Sequence, residues 1–176
     1  DLEIRKLRVR EVAQFGERLK RFRMASKFIF EDILPLTKAF SALEYLEIWG
    51  YHAKNAADNV QSFELPPEIH KLTQLAELEI VSAAMLDLPE EFAALERLHT
   101  IRLRNHHFTS IPVALTRLPS LRELEFSHNT QLKEIPSAVA EMKALKRLSL
   151  RGSLNGGALP LRYEEPQLEP VPESLG

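Results

Sequence analysis

One motif recurs at an almost constant interval through most of the chain. Each copy begins with Leu-Pro or Ile-Pro, and ten residues after that opener comes the pattern L-x-x-L-x-L. Successive middle positions of this pattern are 23, 23 and 24 residues apart, and they are occupied by Leu78, Ile101, Leu124 and Leu148. A fixed period of this length indicates a protein built from stacked repeats, in which each unit buries its apolar side against the next.

The spacing inside each copy predicts the structure of the unit. The end of L-x-x-L-x-L has period two, so Leu124 and Phe126 should point inward while Glu123, Glu125 and Ser127 point outward from a strand. After each proline, apolar residues return at i and i+3, which favours a helical or 3-10 turn. The predicted fold is therefore an α/β solenoid with a parallel sheet on one face and short helical turns on the other.

The repeats divide the chain into three parts. We expect a degenerate cap or irregular repeat over residues 1–33, the regular solenoid over residues 34–158, and a cap or linker over residues 159–176, which contain four prolines. The first part allows two interpretations, a strand followed by a helix, or an early repeat. The second is favoured, because Leu19, Phe22 and Met24 stand 24 residues ahead of Leu43, Leu46 and Ile48.

One unit is longer than the others. The step from Leu46 to Leu78 is 32 residues, and the surplus lies in a mostly polar stretch over residues 50–64. In a solenoid such an insertion maps to a loop on one face, often beside the binding surface.

The consensus resembles the leucine-rich repeat family, in particular its intracellular class of plant proteins and of bacterial proteins that imitate them. The resemblance implies a curved solenoid whose sheet forms the concave face. It also implies a ladder of asparagines that hydrogen-bond the bend after each strand. Only Asn129 meets that pattern; Tyr51, Ala83, His106 and Ser153 hold the matching positions. Ser and His can partly replace Asn, but Ala83 cannot, which predicts a less regular bend there.

Composition argues against several classes of protein. The chain has no cysteine, which excludes disulfides, Cys-ligated zinc and thiol catalysis, and it contains no apolar run that could cross a membrane. The basic residues of the first 27 positions lack the interleaved aromatics that stack on nucleic acid. We expect a cytosolic monomer that needs no cofactor, with secretion as an effector into a host cytosol as an alternative.

Candidate binding residues occupy the outward positions of the strands. Trp, Tyr and Arg are enriched among residues that dominate binding energy, so aromatic side chains near the insertion are the leading candidates and charged side chains are the second set. An equally simple interpretation is that Glu and Arg on adjacent strands pair across the sheet and keep it soluble. The candidates are Tyr45, Trp49, Tyr51, Glu79, Arg102, Arg104, Glu125, Arg147 and Arg151.

No pattern for catalysis or metal binding stands out. Four histidines lie close in sequence, at positions 99, 106, 107 and 128, but no carboxylate spacing completes a ligand set. No nucleophile motif or phosphate-binding glycine loop is present. We therefore predict no catalytic or metal site in this chain.

Three functions remain open at this point. The first is a module that binds a protein partner through the concave face. The second is the substrate-recognition part of a larger enzyme, since the chain resembles bacterial effectors that join such repeats to a ubiquitin-ligase domain. The third is a free-standing scaffold or inhibitor in signalling.

Overall fold

A computed structural model of the chain describes residues 2–4, 16, 18–25, 34–50 and 63–153. Within these ranges seven parallel strands form one open sheet in which each strand pairs with the next along the chain. The order of the strands therefore follows the sequence, as stacking of successive units requires. The strands are β1 (Leu2–Ile4), β2 (Arg21–Ala25), β3 (Tyr45–Trp49), β4 (Glu77–Val81), β5 (Thr100–Arg104), β6 (Glu123–Glu125) and β7 (Arg147–Ser149).

The register of the sheet follows the phase of the repeat. Leu78 pairs with Ile101, Ile101 with Leu124, and Leu124 with Leu148, so the middle residues of successive motifs are direct neighbours. Inward positions are closed to solvent: Leu124 is 1% exposed and Phe126 is fully buried. The predicted fold, a leucine-rich repeat solenoid with a parallel sheet, is confirmed.

Short helical segments return the chain from one strand to the next. In the regular units Pro66, Pro89, Pro112 and Pro136 directly precede them. Proline has no amide hydrogen, and the first turn of a helix leaves amides without a helical acceptor, so the residue suits that position. The segments are α1 (Leu34–Ala39), α2 (Val113–Thr116) and the 3-10 helices Pro67–Lys71, Glu90–Ala94 and Ser137–Glu141.

The core lies between the sheet and these segments and runs the length of the solenoid. Each unit contributes aliphatic side chains, and phenylalanines fill the wider spaces; the rings of Phe108 and Phe126 lie 5.0 Å apart. Burial weakens at the end of the described solenoid, where Leu145, Leu148 and Leu150 are only partly buried. A unit inside the stack thus gains more from its leucines than the last one does.

The bends after the strands are joined by a chain of buried hydrogen bonds. Asn129 donates through Nδ2 to the carbonyl of Leu103, at 3.1 Å, and accepts at Oδ1 from the amide of His106, at 2.8 Å. His106 takes the asparagine role in the preceding unit, since its Nε2 lies 2.9 Å from the carbonyl of Ile80 and must be the donor. The predicted partial replacement of asparagine by histidine is therefore confirmed for the bond to the carbonyl.

Serine fills the same role one unit later. The Ser153 hydroxyl donates to the carbonyl of Phe126, at 2.6 Å, and accepts from the amide of Asn129, at 2.9 Å. At Ala83 no such side chain exists. The residue before the ladder position is left-handed in all four of these bends (Ser82, Asn105, His128 and Gly152), and the bend at Ala83 adds a second left-handed residue, Ala84, with φ of 51°. The bend at Ala83 is thus more irregular than the others, as predicted.

The long unit is anchored at both ends to this irregular bend. Gly50 donates its amide to the carbonyl of Val81, at 2.8 Å, and Phe63 donates to the carbonyl of Ala83, at 3.3 Å. Gly50 is required by space: a Cβ there would lie 2.4 Å from the carbonyl oxygen of Ser82. Residues 51–62 of the predicted insertion, Tyr51 among them, lie outside the described residues.

Strand β2 coincides with the early repeat that sequence spacing favoured. Phe22 pairs with Leu46 and Met24 with Ile48, so this strand has the same phase as the regular units. Beyond it, β1 adds one more strand. Other parts of the expected cap over residues 1–33, and the tail over residues 159–176, lie outside the described residues.

Candidate functional site: the concave face of the sheet

The in-register strands align their outward side chains into rows that cross the concave face. One row consists of the outward residue that lies between the two inward residues of each strand, and its side chains are mostly charged. The next row consists of the outward residue that follows the second inward residue, and it contains Trp49. In strand order the first of these rows is Arg23, Glu47, Glu79, Arg102, Glu125 and Ser149.

Ion pairs connect the strands in the later part of the face, from β4 to β6. Arg104 bridges two carboxylates: its Nη2 lies 2.9 Å from Glu79 Oε1 and its Nε lies 3.0 Å from Glu125 Oε1. Arg102 lies farther from its partners, 3.8 Å from Glu77 and 3.9 Å from Glu125. Four of the predicted site residues are thus brought together as ion pairs across the sheet, although the buried Nε of Arg104 makes no well-aligned hydrogen bond.

Glu47 is the centre of a different arrangement on β3. Its Oε2 accepts a hydrogen bond from the Tyr45 hydroxyl, at 2.6 Å, and its Oε1 accepts one from Trp49 Nε1, at 2.5 Å. Arg23, on β2, places its Nε 2.7 Å from Oε2. Only 13% of the Glu47 side chain is exposed, so this carboxylate is largely enclosed by its three donors.

Burial and these contacts shift the pKa values of three groups on the face, Glu47, Tyr45 and Glu79. Burial alone would raise the pKa of Glu47, but hydrogen bonds from Tyr45 and Trp49, with the charge of Arg23, lower the pKa below its usual value. Burial, then the hydrogen bond to Glu47, raises the pKa of Tyr45 to about 12. The pKa of Glu79 is shifted in the opposite direction, above its usual value. Burial raises it most, the charge of Arg104 lowers it, and the charge of Glu47 raises it further.

The two described aromatic candidates differ sharply in accessibility. Trp49 is 45% exposed, whereas Tyr45 is 6% exposed. The guanidinium carbon of Arg21 lies 4.0 Å from the centroid of the Tyr45 ring and covers it. Tyr45 was predicted as an exposed anchor, but its ring is covered and its hydroxyl is bound to Glu47. It supports Trp49 instead of presenting a surface of its own.

The other outward positions vary as well. We expected Ser127 to point to solvent, but it is 2% exposed and its hydroxyl donates to Glu125 at 2.9 Å. Arg147 is exposed and pairs with Glu123 at 3.2 Å. Arg151 is exposed beyond the end of β7.

Sequence reasoning missed Glu47 and the two arginines of β2 as parts of the site. A glutamate between two outward aromatics resembles an ordinary solvated position. The two-residue period of the strand could have identified Glu47, because Tyr45, Glu47 and Trp49 are two residues apart and must share one face.

The histidines do not form a metal site within the described ranges. His106 belongs to the hydrogen-bonded bends, and His99 Nδ1 lies 3.0 Å from the hydroxyl of Thr100. Within residues 2–4, 16, 18–25, 34–50 and 63–153, no group of three His, Cys, Asp or Glu side chains could hold a metal ion. In that same part of the chain, no helix has the length and apolar character needed to span a membrane.

No model of a known protein family matches the chain. It is 32% identical over 134 residues to an adenylate cyclase of Podospora anserina, a match that covers 76% of the chain and 6% of the cyclase. The chain therefore spans only a small fraction of that relative's length.

Solved structures with the same architecture are leucine-rich repeat proteins. The leucine-rich repeat domain of the type III effector XCV3220 (XopL) has a TM-score of 0.64 and 20% identity, covering 86% of the chain and 52% of that structure. The plant peptide hormone receptor RGFR1, in complex with RGF2, has a TM-score of 0.52 and 19% identity, covering 86% of the chain and 22% of the receptor. At these identities the likeness concerns the fold alone.

Proposed function

Since the chain has the leucine-rich repeat fold, we propose that it is a protein-binding module and that the partner docks on the concave face around Trp49. The observation that carries this proposal is the exposure of Trp49. Among the described residues the exposed large hydrophobic side chains are Trp49, Leu86 and Val113, and Trp49 alone of these projects from the sheet. Exposing an indole to water is unfavourable, and Trp is the residue most enriched in binding hot spots.

The charged candidates have a secondary role in this proposal. These four side chains already form ion pairs with one another, so a partner gains from them only by joining or replacing existing pairs: Arg102, Arg104, Glu79 and Glu125. We assign to them the rim of the interface, with Arg147 and Arg151 at its far end. Tyr51 remains a candidate beside Trp49, since it begins the insertion.

The comparisons support a binding role without identifying the partner. RGFR1, which shares the architecture, is described in complex with RGF2. A solenoid offers a long surface whose outward residues vary freely while the inward leucines preserve the fold. We expect this chain to act as a cytosolic monomer and to bind protein instead of nucleic acid.

The test is affinity capture from a lysate with matched single variants. Trp49→Ala should lose a protein that the unmodified chain retains. Leu86→Ala is the control, because Leu86 is 58% exposed but lies outside the strands. Both variants should stay folded at the assay temperature, as checked by far-UV circular dichroism and a melting curve. Equal capture by wild type and Trp49→Ala would refute the proposed location.

A second candidate function is the recognition part of a larger protein. The match to the Podospora cyclase covers 6% of that protein, and the XopL match is to a domain of an effector. Any catalytic activity would then belong to other parts of the parent protein. Recovery of the full-length reading frame, followed by a ubiquitin-transfer assay on its product, distinguishes an effector ligase from a free-standing module.

A further inference from the structure

We propose that Glu47 is a positioning residue: it holds the indole of Trp49 in one orientation and leaves only the apolar surface of the ring for a partner. The partner group that fits is an apolar side chain, not a hydrogen-bond acceptor. The second statement rests on the proposed function, whereas the first concerns the free protein and can be measured without a partner.

The contacts of Glu47 support this positioning role, because its one carboxylate binds three side chains. Glu47 binds Trp49 through one oxygen, and Tyr45 and Arg23 through the other, so its own orientation is held from two strands. Tyr45 is held in turn by Arg21, which lies over its ring. An exposed tryptophan would ordinarily sample several rotamers, and ordering it on binding would cost free energy. In this protein the side chain of Trp49 is already ordered before a partner binds.

Hydrogen-bond capacity decides the chemistry of the partner group. An indole has one donor and no acceptor, and Trp49 has committed that donor to Glu47. The Tyr45 hydroxyl is also committed to Glu47. On the next strand the register partner of Trp49 is Val81, which is apolar and 8% exposed. The surface that remains is therefore the ring and its apolar neighbour.

The charges around Glu47 keep it ionised, and ionisation strengthens the bond to the indole. Arg21 and Arg23 face it from β2, and Glu77 and Glu79 lie on β4, with Glu79 directly opposite in register. The net effect is that the pKa of Glu47 is lowered. The anchor should thus stay fixed at neutral pH and loosen only in acid.

The experiment uses intrinsic fluorescence, since the chain contains a single tryptophan. Steady-state anisotropy and quenching by acrylamide are measured on the full chain and on Glu47→Ala, Glu47→Gln and Glu125→Ala. Glu47→Ala should lower the anisotropy and increase quenching. Glu47→Gln should recover most of the wild-type signal, because the amide oxygen can still accept from the indole. Glu125→Ala is the matched control, because Glu125 accepts a hydrogen bond from Ser127, two residues onward, as Glu47 does from Trp49. It should change neither the anisotropy nor the quenching.

Two results would overturn the positioning role. One is wild-type anisotropy and quenching in Glu47→Ala; the other is an equal change in Glu125→Ala, which would indicate general loosening of the sheet. Acidification adds a separate readout: the wild-type signal should change only below the ordinary carboxyl range, and Glu47→Ala should lack that step.

The chemistry of the partner group is tested with the protein whose capture depends on Trp49. Trp49→Phe should retain its binding, because phenylalanine supplies an apolar ring without a donor. Glu47→Ala should weaken binding by about 2- to 12-fold, the cost of ordering one free side chain. Binding by Trp49→Phe as weak as by Trp49→Ala would contradict an apolar contact. If no protein depends on Trp49, the proposed function fails while the fluorescence result still stands.

Discussion

The concave face has two halves that share one backbone geometry and differ in what they leave exposed. On β3, Glu47 gathers donors from Tyr45 and Trp49 and leaves an indole facing solvent. On β6, Glu125 accepts a hydrogen bond from Ser127 and forms an ion pair with Arg104, and the surface there consists mainly of paired charges. Both glutamates pair with an arginine, but only Glu47 also binds an exposed aromatic side chain. The difference indicates that the role of a glutamate at one repeat position depends on its neighbours two residues away and one strand away.

The first prediction concerns the core beneath the two halves and has the largest effect. Leu46→Ala and Leu124→Ala remove equivalent buried side chains and should each lower the free energy of unfolding by about 2–5 kcal/mol, through lost burial and the cavity left behind. Leu148→Ala should cost less, because Leu148 is only partly buried. Denaturant unfolding measures all three. A stability unchanged by Leu124→Ala would sink the phase assigned to the repeats.

The second prediction concerns the bends that hold the two halves in line. Asn129→Ala removes a side chain that binds both a carbonyl and an amide inside the protein, and it should lower the free energy of unfolding by about 1–3 kcal/mol. His106→Asn is the control, since asparagine suits that position in the ladder and should cost less than His106→Ala. If Asn129→Ala unfolds at the same denaturant concentration as the wild type, the hydrogen bonds of Asn129 in the bends contribute nothing to stability.

The third prediction separates Glu47 from Glu79 by pH. Because the folded-state pKa of Glu47 is lowered, its stabilising effect should be present above the unfolded-state pKa and disappear as pH falls through the folded-state pKa. The stability difference between wild type and Glu47→Gln, about 1 kcal/mol, should therefore close in acid. Glu79 has a raised pKa, so its ionisation should reduce stability as pH rises from its unfolded-state to its folded-state pKa. Denaturant midpoints from pH 3 to 7 measure both; parallel profiles would remove the contrast.

The fourth prediction has the smallest expected effect and concerns the paired charges. Arg104→Ala should change stability by only about 1 kcal/mol, because ion pairs of a partly exposed arginine contribute little, although Glu79, whose side chain is 13% exposed, loses its nearest cation. Added salt should reduce even that difference. A loss of several kcal/mol, independent of salt, would mean that the later half of the face depends on its charges for folding.

Much of this architecture follows from period alone. The step between motifs fixes the stacking order, and the two-residue alternation assigns Leu124 inward and Trp49 outward. Accessibility within the outward set does not follow, because it depends on side chains from another unit: Arg21 covers the Tyr45 ring from a strand 24 residues earlier in the chain. His106 was similarly ambiguous, since only the folded bend brings its ring to the carbonyl of Ile80.

The most direct test of the account compares the two halves in one binding assay. With a partner identified by capture, calorimetric affinities of Trp49→Ala and Arg104→Ala are measured beside the wild type. We predict that Trp49→Ala weakens binding by about 30-fold or more, as removal of a hot spot does, and that Arg104→Ala weakens it by only a few-fold. The reverse order would place the partner on the charged half and contradict the role assigned to Trp49.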